Sequence, residues 1–583
     1  MGPGDGLRRL AASVSLPAAV SGFGRQNACP DFVQLLRRRA ADYAEKTLYT
    51  FVPGVGANVE VSYGAQDLRA RAVGAALAER TRPGDRVVVL TPPGADFATA
   101  FFGALYAGCV AVPAWPPEAQ RMASTVARLA SMVEDSQPSA VLVAQGAEAQ
   151  RSRIAEFVPA LAGLPWIAVG EVADEQAAGW REPSLGGDAL AAIQYTSGST
   201  ASPKGVMLTH GNLLANCDAV MRLFGEGPDT RGVIWLPPYH DMGLIGGVLS
   251  PVYVAGTCAL MAPHSFLMRP HRWLRMMSEF GATTSGAPGF AFDLCVDRVR
   301  AEQLEDVDLS GWRVAFCGAE RVRPATIDRF TRAFEPYGFD RRAFFPCYGL
   351  AESTLIVSGG PMDTPPRVRS YDPAALDAGQ ASEREGGARL VGCGLPDPEA
   401  VLEIVDPAAR RALGRGQIGE VWVTSRSVAG GYWRRAEETA EVFGAQLPGR
   451  SERFLRTGDL GFLDAEGELV ITGRLKELIK ISGRGHYPQD FEATALTSHP
   501  GVRGEAAAFA VEGEDGERLV LVVRARSAEA EAVRVAVREA IARVHDVGAE
   551  VVVTGAALPS TLSGKLQRLQ CRRLYVEGGF AAK

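Results

Sequence analysis

A chain of 583 residues is longer than one hydrophobic core organises, so several subdomains are expected. Its 47% hydrophobic and 22% charged residues match a globular protein and exclude a disordered or fibrous one. The 61 Lys and Arg against 67 Asp and Glu leave a net charge of −6 with no long basic stripe, so nucleic acid is not expected as a partner.

At the N-terminus Arg8 and Arg9 precede LAASVSLPAAVSG, but Pro17 interrupts a weakly apolar run that lacks a signal-peptide core. Gly6 stands where a myristoylation signal needs Ser or Thr. GDRVVVL at 84–90 reads as a strand before an alanine-rich helix. FFGALYAGCVAVPAW at 101–115 reads as a helix leading into a strand, too short and too broken by Gly and Pro to span a bilayer. SAVLVA at 139–144 and GWRVAFCGAE at 311–320 repeat the strand rhythm, the latter before a helix beginning at ATIDRF. This alternation predicts parallel α/β layers, with ligands bound beyond the strand ends. The nine cysteines stand singly from Cys29 to Cys571, without CxxC pairs, which fits a reducing compartment and a cytoplasmic protein.

Farther along, 361–389 is polar, proline-bearing and poor in strand pattern, and is read as a surface insertion. From about 400 to 472, short β-rich runs (VLEIVD, GEVWVTS, GELVITG) predict a small antiparallel or barrel-like subdomain. After them AAAFAV, LVLVVRA, a helical AVRVAVREAIARV and VVVTG suffice for a compact terminal α/β unit. The expected organisation is therefore α/β with several subdomains: a large N-terminal domain at 1–475 and a small, mobile C-terminal domain at 476–583.

The chemistry centres on YTSGSTASPKG at 195–205, a loop directly after the strand-like AAIQY. Thr196, Ser197, Ser199 and Thr200 offer hydroxyl and amide donors, Gly198 allows close backbone approach, and Lys204 adds a mobile cation, a combination that can wrap triphosphate oxygens. The order GxxxxGK[ST] of a Walker loop is absent. TSGS alone would be an ordinary flexible turn. Glu352 can hold Mg²⁺ through its carboxylate oxygens, or simply open a helix. Asp459, in TGD, offers two acceptors suited to ribose hydroxyls, although TGD by itself is more often a turn. Lys565, after Gly564 in a loop beside the C-terminus, can reach oxygens that gain charge during acyl attack.

The eleven residues at 195–205 resemble the phosphate-binding signature of the adenylate-forming superfamily of acyl-CoA synthetases, luciferases and peptide-synthetase adenylation domains. YGLAE at 348–352, TGD at 457–459, GRLKELIK at 473–480 and PSTLSGKLQR at 559–568 follow in that family's order. The resemblance implies ATP and Mg²⁺ as cofactors and catalytic roles for Thr196, Lys204, Glu352 and Lys565. It implies a nucleotide site lined by Gly318, Ala319, Glu320, Tyr348, Gly349, Leu350 and Ala351, with Asp459 and Arg474. Lys476 resembles the hinge residue about which the terminal domain rotates between adenylation and acyl transfer.

WLPPYHDMGLIGGVL at 235–249 has apolar surroundings where amino-acid-activating relatives usually place an aspartate for the substrate amine, which favours a hydrocarbon-tailed acid. Together with AVPAWPP at 111–117, SGAPGFAFDLC at 285–295 and GHYPQDFE at 485–492, it is similar to the fatty acyl-AMP ligases over almost the whole chain. This implies an acyl pocket including His240, Asp241, Met242, Gly243, Ser285 and Gly286. It also implies transfer of the acyl group to the phosphopantetheine thiol of an acyl carrier protein, the insertion being associated with preventing productive use of CoA. Gly289, where that family often has Asn, and SGRGHYPQD in place of RGRNHYPQD are departures. The alternatives are a fatty acyl-CoA synthetase and an inert acyl-adenylate-binding regulator, the latter disfavoured by the presence of Glu352, Lys565 and the phosphate loop.

Overall fold

A computed structural model describes residues 29–580 except 55, 118–121, 197–202, 482–483, 514–515 and 561–565. The chain divides into two units. One contains the chain up to Pro366 with Cys393–Leu402 and Val423–Arg456, and the other contains Arg367–Gly392, Glu403–Trp422 and Thr457–Lys583.

The first unit is built on two sheets, as its strand and helix rhythm predicts. In the six-stranded sheet the order is Trp166–Ala168, Ala140–Val143, Arg86–Leu90, Val110–Pro113, Leu190–Thr196, Lys204–Thr209. All neighbours are parallel except the last two, which form an antiparallel hairpin. Near-continuous Val and Ala in these strands fits a parallel sheet covered on both faces. Residues such as Val88, Val112, Val141 and Ile193 are buried in one cluster with Leu129 and Val133 of the helix Met122–Ser136.

The nine-stranded sheet contains a parallel run of Phe344–Gly349, Val314–Cys317, Thr284–Ala287 and Arg231–Ile234. These strands deliver the CGAE, YGLAE and SGAP motifs at their C-terminal ends, where ligands of such sheets bind. The helix Pro324–Phe334 follows the strand Val314–Cys317, as expected from ATIDRF.

In the second unit, the three-stranded sheet Val502–Gly513, Gly516–Ala525, Ala549–Thr554 has helices on both faces. Strand alternation explains this arrangement. Leu519, Leu521 and Val523 join Val533, Val537 and Ile541 of the helix Ala530–His545. Val520 and Val522 join Leu558 and Cys571 in a separate cluster. Most of a four-stranded sheet, ordered Val401–Val405, Gly419–Thr424, Leu455–Leu463 and Leu469–Arg474, also belongs to this unit.

One expectation is corrected. The polar segment 361–389, read as poor in strand, contains the strand Val368–Tyr371, paired antiparallel with Ala388–Val391. Polar composition concealed the pairing because only one side is apolar. Tyr371 and Leu390 pack on Phe462 and Val470, while the intervening Arg369 pairs with Glu383 and, at 2.6 Å, with Glu466.

Candidate active site

The hairpin Leu190–Thr196 and Lys204–Thr209 presents the Ser/Gly loop at its tip, with Thr196 directly opposite Lys204. Ser197, Gly198, Ser199 and Thr200 lie outside the described residues. The outer edge of the hairpin is occupied by 430–433: the Trp433 amide donates to the Gly205 carbonyl at 2.7 Å, and the Met207 amide donates to the Gly431 carbonyl at 2.9 Å. This docking sets Tyr432 beside Lys204. Lys204 Nζ lies 5.0 Å from the centre of the Tyr432 ring and is ion-paired with Glu438. The Lys204 ammonium holds the Glu438 carboxyl below its ordinary range.

Tyr432 also reaches the proposed metal ligand, since its hydroxyl donates to Glu352 Oε1 at 2.8 Å. Glu352 sits on the short turn Ala351–Ser353, which is braced by fully buried Asn216. The Asn216 amide donates to the Ser353 and Ile356 carbonyls at 3.2 and 3.0 Å and accepts from the Ile356 amide at 3.1 Å. Lys204 and Glu352, about 150 residues apart in sequence, thus share Tyr432 as a common neighbour. Neither Tyr432 nor Asn216 was among the sequence candidates. The signal for Tyr432 was GGYW, a glycine pair ahead of two aromatics; Asn216 had none.

Two glycines have a steric requirement. A Cβ at Gly349 would stand 1.9 Å from the Leu355 carbonyl oxygen, and one at Gly286 would stand 2.1 Å from that of Phe316. The first closes the YGLAE turn containing Tyr348, Gly349, Leu350 and Ala351, and the second keeps the SGAP strand against its neighbour. In CGAE, Gly318 and Ala319 follow the strand Val314–Cys317, and Ala319 adopts a left-handed φ of +65°, backbone strain of the kind concentrated at ligand sites. Glu320 Oε1 accepts from the Phe290 amide at 3.3 Å, tying this wall to the helix after SGAP.

His240 Nδ1 lies 2.5 Å from Asp241 Oδ1, and Asp241 in turn accepts from the Met242 amide at 2.7 Å. Beyond Asp241–Gly243 the helix widens to a π-helix over Leu244–Leu249 before Ser250–Val254, a deviation frequent at functional sites. Two cavities adjoin this helix. The larger, about 200 Å³, is lined by Phe97, Leu236, Pro238, Val248 and Met261. The smaller, about 30 Å³, is lined by Gly246, Thr284 and Phe316. His240, Asp241, Met242, Gly243, Ser285 and Gly286 line neither. The smaller one nevertheless belongs with SGAP, because Thr284 and Gly286 share one strand face and Phe316 pairs with Gly286.

The remaining candidates belong to the second unit. Arg474 Nε contacts Asp459 Oδ1 at 2.6 Å across two paired strands, and Asp459 is buried. Lys476 occupies the short turn Leu475–Glu477. Lys565 lies outside the described residues, but the neck of its loop is closed by a bridge between Ser560 and Leu566. Three residues beyond Lys565, Arg568 is gripped by Glu492 through two hydrogen bonds of 2.7 Å and by Glu477 at 3.0 Å. That clamp was not foreseen: Glu492 and Glu477 lie 76 and 91 residues away in sequence.

A hairpin loop of hydroxyls and glycines, a cation and carboxylate joined through one tyrosine, and nucleotide-type walls at parallel strand ends define an adenylate-forming enzyme. The model of the AMP-binding enzymes matches residues 36–433, and the chain belongs to that family. It is 39% identical, over 94% of this chain and 96% of the relative, to the medium-chain-fatty-acid–[acyl-carrier-protein] ligase JamA of Moorena producens. The long-chain-fatty-acid–AMP ligase FadD26 of Mycobacterium marinum is 37% identical over 85% and 88% of the two chains. Among solved structures, fatty acyl-adenylate ligase from L. pneumophila in complex with acyl adenylate and pyrophosphate superposes with a TM-score of 0.75. It is 36% identical, covering 97% of this chain and 98% of that one.

Proposed function

We propose that the protein is a fatty acyl-AMP ligase that activates a medium- or long-chain fatty acid with ATP and passes the acyl group to the phosphopantetheine thiol of an acyl carrier protein. The observation that carries this reading is the meeting of Lys204 and Glu352 around Tyr432. In the first step a substrate carboxylate oxygen attacks the α-phosphorus of ATP, and the bond to the pyrophosphate oxygen breaks. Alignment of the two reactants supplies much of the acceleration. In the second, the carrier thiol attacks the acyl carbonyl, loses its proton to solvent and displaces AMP.

Thr196, Ser197, Gly198, Ser199, Thr200 and Lys204 are assigned to the triphosphate. Gly318–Glu320 and Tyr348–Ala351 are assigned to adenine and ribose, the latter also served by Asp459 and Arg474. Glu352 is assigned as the protein carboxylate of a metal site; among the described residues no group of three or more His, Cys, Asp and Glu converges. That fits Mg²⁺, which keeps several waters and takes phosphate oxygens with one or two carboxylates. When bound, the ion would neutralise phosphate charge and Glu352 would hold it, oriented by Tyr432. Lys476 is assigned as hinge and Lys565 as the cation that meets developing charge at the reacting carboxylate and α-phosphate.

We assign the enzyme to the cytoplasm, in keeping with its nine free cysteines; among the described residues no helix is long and apolar enough to cross a membrane. Lys565→Ala is expected to lose about 10²–10³ in ATP–pyrophosphate exchange with folding intact. Near-native exchange in the folded variant rejects the role. Offering CoA and a phosphopantetheinylated carrier separately, and weighing both by mass spectrometry, tests the acceptor: acylated CoA in place of carrier makes the protein an acyl-CoA synthetase.

A further inference from the structure

The smaller cavity ends on a carboxyl that the proposed adenylation reaction does not use. The helix His210–Phe224 closes at Gly225, whose φ of +60° turns the chain so that Glu226 enters the interior. Glu226 is only 7% exposed. Thr284 lines the same cavity, and among the described residues no oppositely charged group acts on Glu226; burial raises its carboxyl to about 7. Near neutral pH it therefore both donates and accepts hydrogen bonds.

Glu226 shares the cavity with the Thr284 and Ser250 side chains, while Phe224, Ile234 and Phe316 give it apolar walls. A volume of about 30 Å³ holds one hydroxyl- or water-sized group. The cavity adjoins the SGAP strand through Thr284. Thr284 lies two residues from Gly286 on the same face, a step of about 7 Å farther from the strand's C-terminal end. On the opposite side a Cβ at Gly246 would meet nothing within 4 Å, so the π-helix leaves room there.

We propose that Glu226, with Thr284 and Ser250, forms the far end of the acyl channel and binds a hydroxyl at the tail end of the acid, making ω-hydroxylated acids the preferred substrates. The inference rests on the fatty-acid adenylation reading above. A methyl end pressed against Glu226 excludes water from the carboxyl without replacing its hydrogen bonds, whereas a hydroxyl replaces them.

The test uses the full-length enzyme with acids of graded length, each as a plain and an ω-hydroxy pair, followed by pyrophosphate release. At the optimal length the hydroxy acid should win by about tenfold or more in kcat/KM. Glu226→Leu should invert that preference and Glu226→Gln should retain most of it. Gly246→Val should depress the longest acids of both kinds while sparing shorter ones. Plain acids equal or superior at every length overturn the proposal. So does an unchanged ratio in Glu226→Leu or, if that variant does not fold, a Gly246→Val enzyme with an unaltered length profile. Release of no pyrophosphate with any acid rejects instead the adenylation reading on which the proposal rests.

Discussion

The two ends of the helix His210–Phe224 are built on opposite rules. At its start, Thr209 and Asn212 form a reciprocal capping box, and Asn212 also donates to the Arg426 and Val428 carbonyls at 2.8 and 3.0 Å. His210, 1% exposed, accepts from the Phe32 amide at 3.2 Å. One turn on, Asn216 secures the Glu352 turn. Polar groups at this end are fixed to backbone, so the geometry offered to nucleotide does not depend on the acid. At the other end Glu226 faces a cavity that it shares with the hydroxyl-bearing Thr284 and Ser250. Pairing fixes the chemistry; an underpaired group is where selectivity resides.

The largest expected effect separates the ends by pH. Burial lowers His210 to about 4, so the unfolded chain takes up its proton first. Stability from neutral His210 is full above its ordinary value and is lost as pH falls from about 6.5 toward 4, by about 3 kcal/mol. Glu226 has the reverse sign: raised to about 7, it favours the fold below its ordinary value of 4.5, and that contribution is lost as pH rises through 7. Because the two windows overlap with opposite signs, urea midpoints between pH 4.5 and 7 should tilt in opposite directions: His210→Gln leaves the fall with rising pH unopposed, and Glu226→Gln leaves the rise unopposed. Identical slopes in both variants remove the contrast.

A smaller effect probes the fixed end alone. Tyr432→Phe keeps the ring beneath Lys204 but removes the 2.8 Å bond to Glu352. A hydrogen bond to a charged group is worth about 1.5 kcal/mol or more, so kcat for adenylation should fall about tenfold or more. KM for the fatty acid should hardly move, because Tyr432 touches the nucleotide side. A rise in that KM with kcat preserved would put Tyr432 in acid binding instead.

Much of this is legible in the sequence. Strand runs such as Arg86–Leu90 and Val314–Cys317 are continuous and apolar, and each ends in a glycine-bearing turn, so the α/β layers followed from pattern. The Ser/Gly loop and Glu352 were found because their residue types carry the chemistry. Tyr432 and Asn216 were not, because what matters is docking: Tyr432 is brought to Lys204 by a strand-like contact between 430–433 and a hairpin more than 200 residues earlier. Glu226 stayed hidden for a different reason. In FGEGPDT it reads as an ordinary polar turn residue, and only the positive φ of Gly225 sends it inward. The strands in 361–389 were missed because their solvent-facing side chains are charged.

The weakest prediction concerns Lys204 and Glu438, and it limits how far pairing at the nucleotide end can be equated with stability. Their side chains are 22% and 37% exposed, so solvent screens the pair and its worth to folding is below about 1 kcal/mol. Because Lys204 depresses the Glu438 carboxyl, that contribution is present above the ordinary glutamate value of 4.5 and lost as pH falls through the lowered one. Glu438→Gln should thus shift the urea midpoint only slightly at pH 7 and less still in high salt. Its larger consequence should be kinetic, since Glu438 competes with phosphate for the lysine. Freed of that partner, Lys204 should lower KM for ATP a few-fold. An unchanged KM would mean that the Tyr432 ring, not Glu438, sets where the ammonium rests.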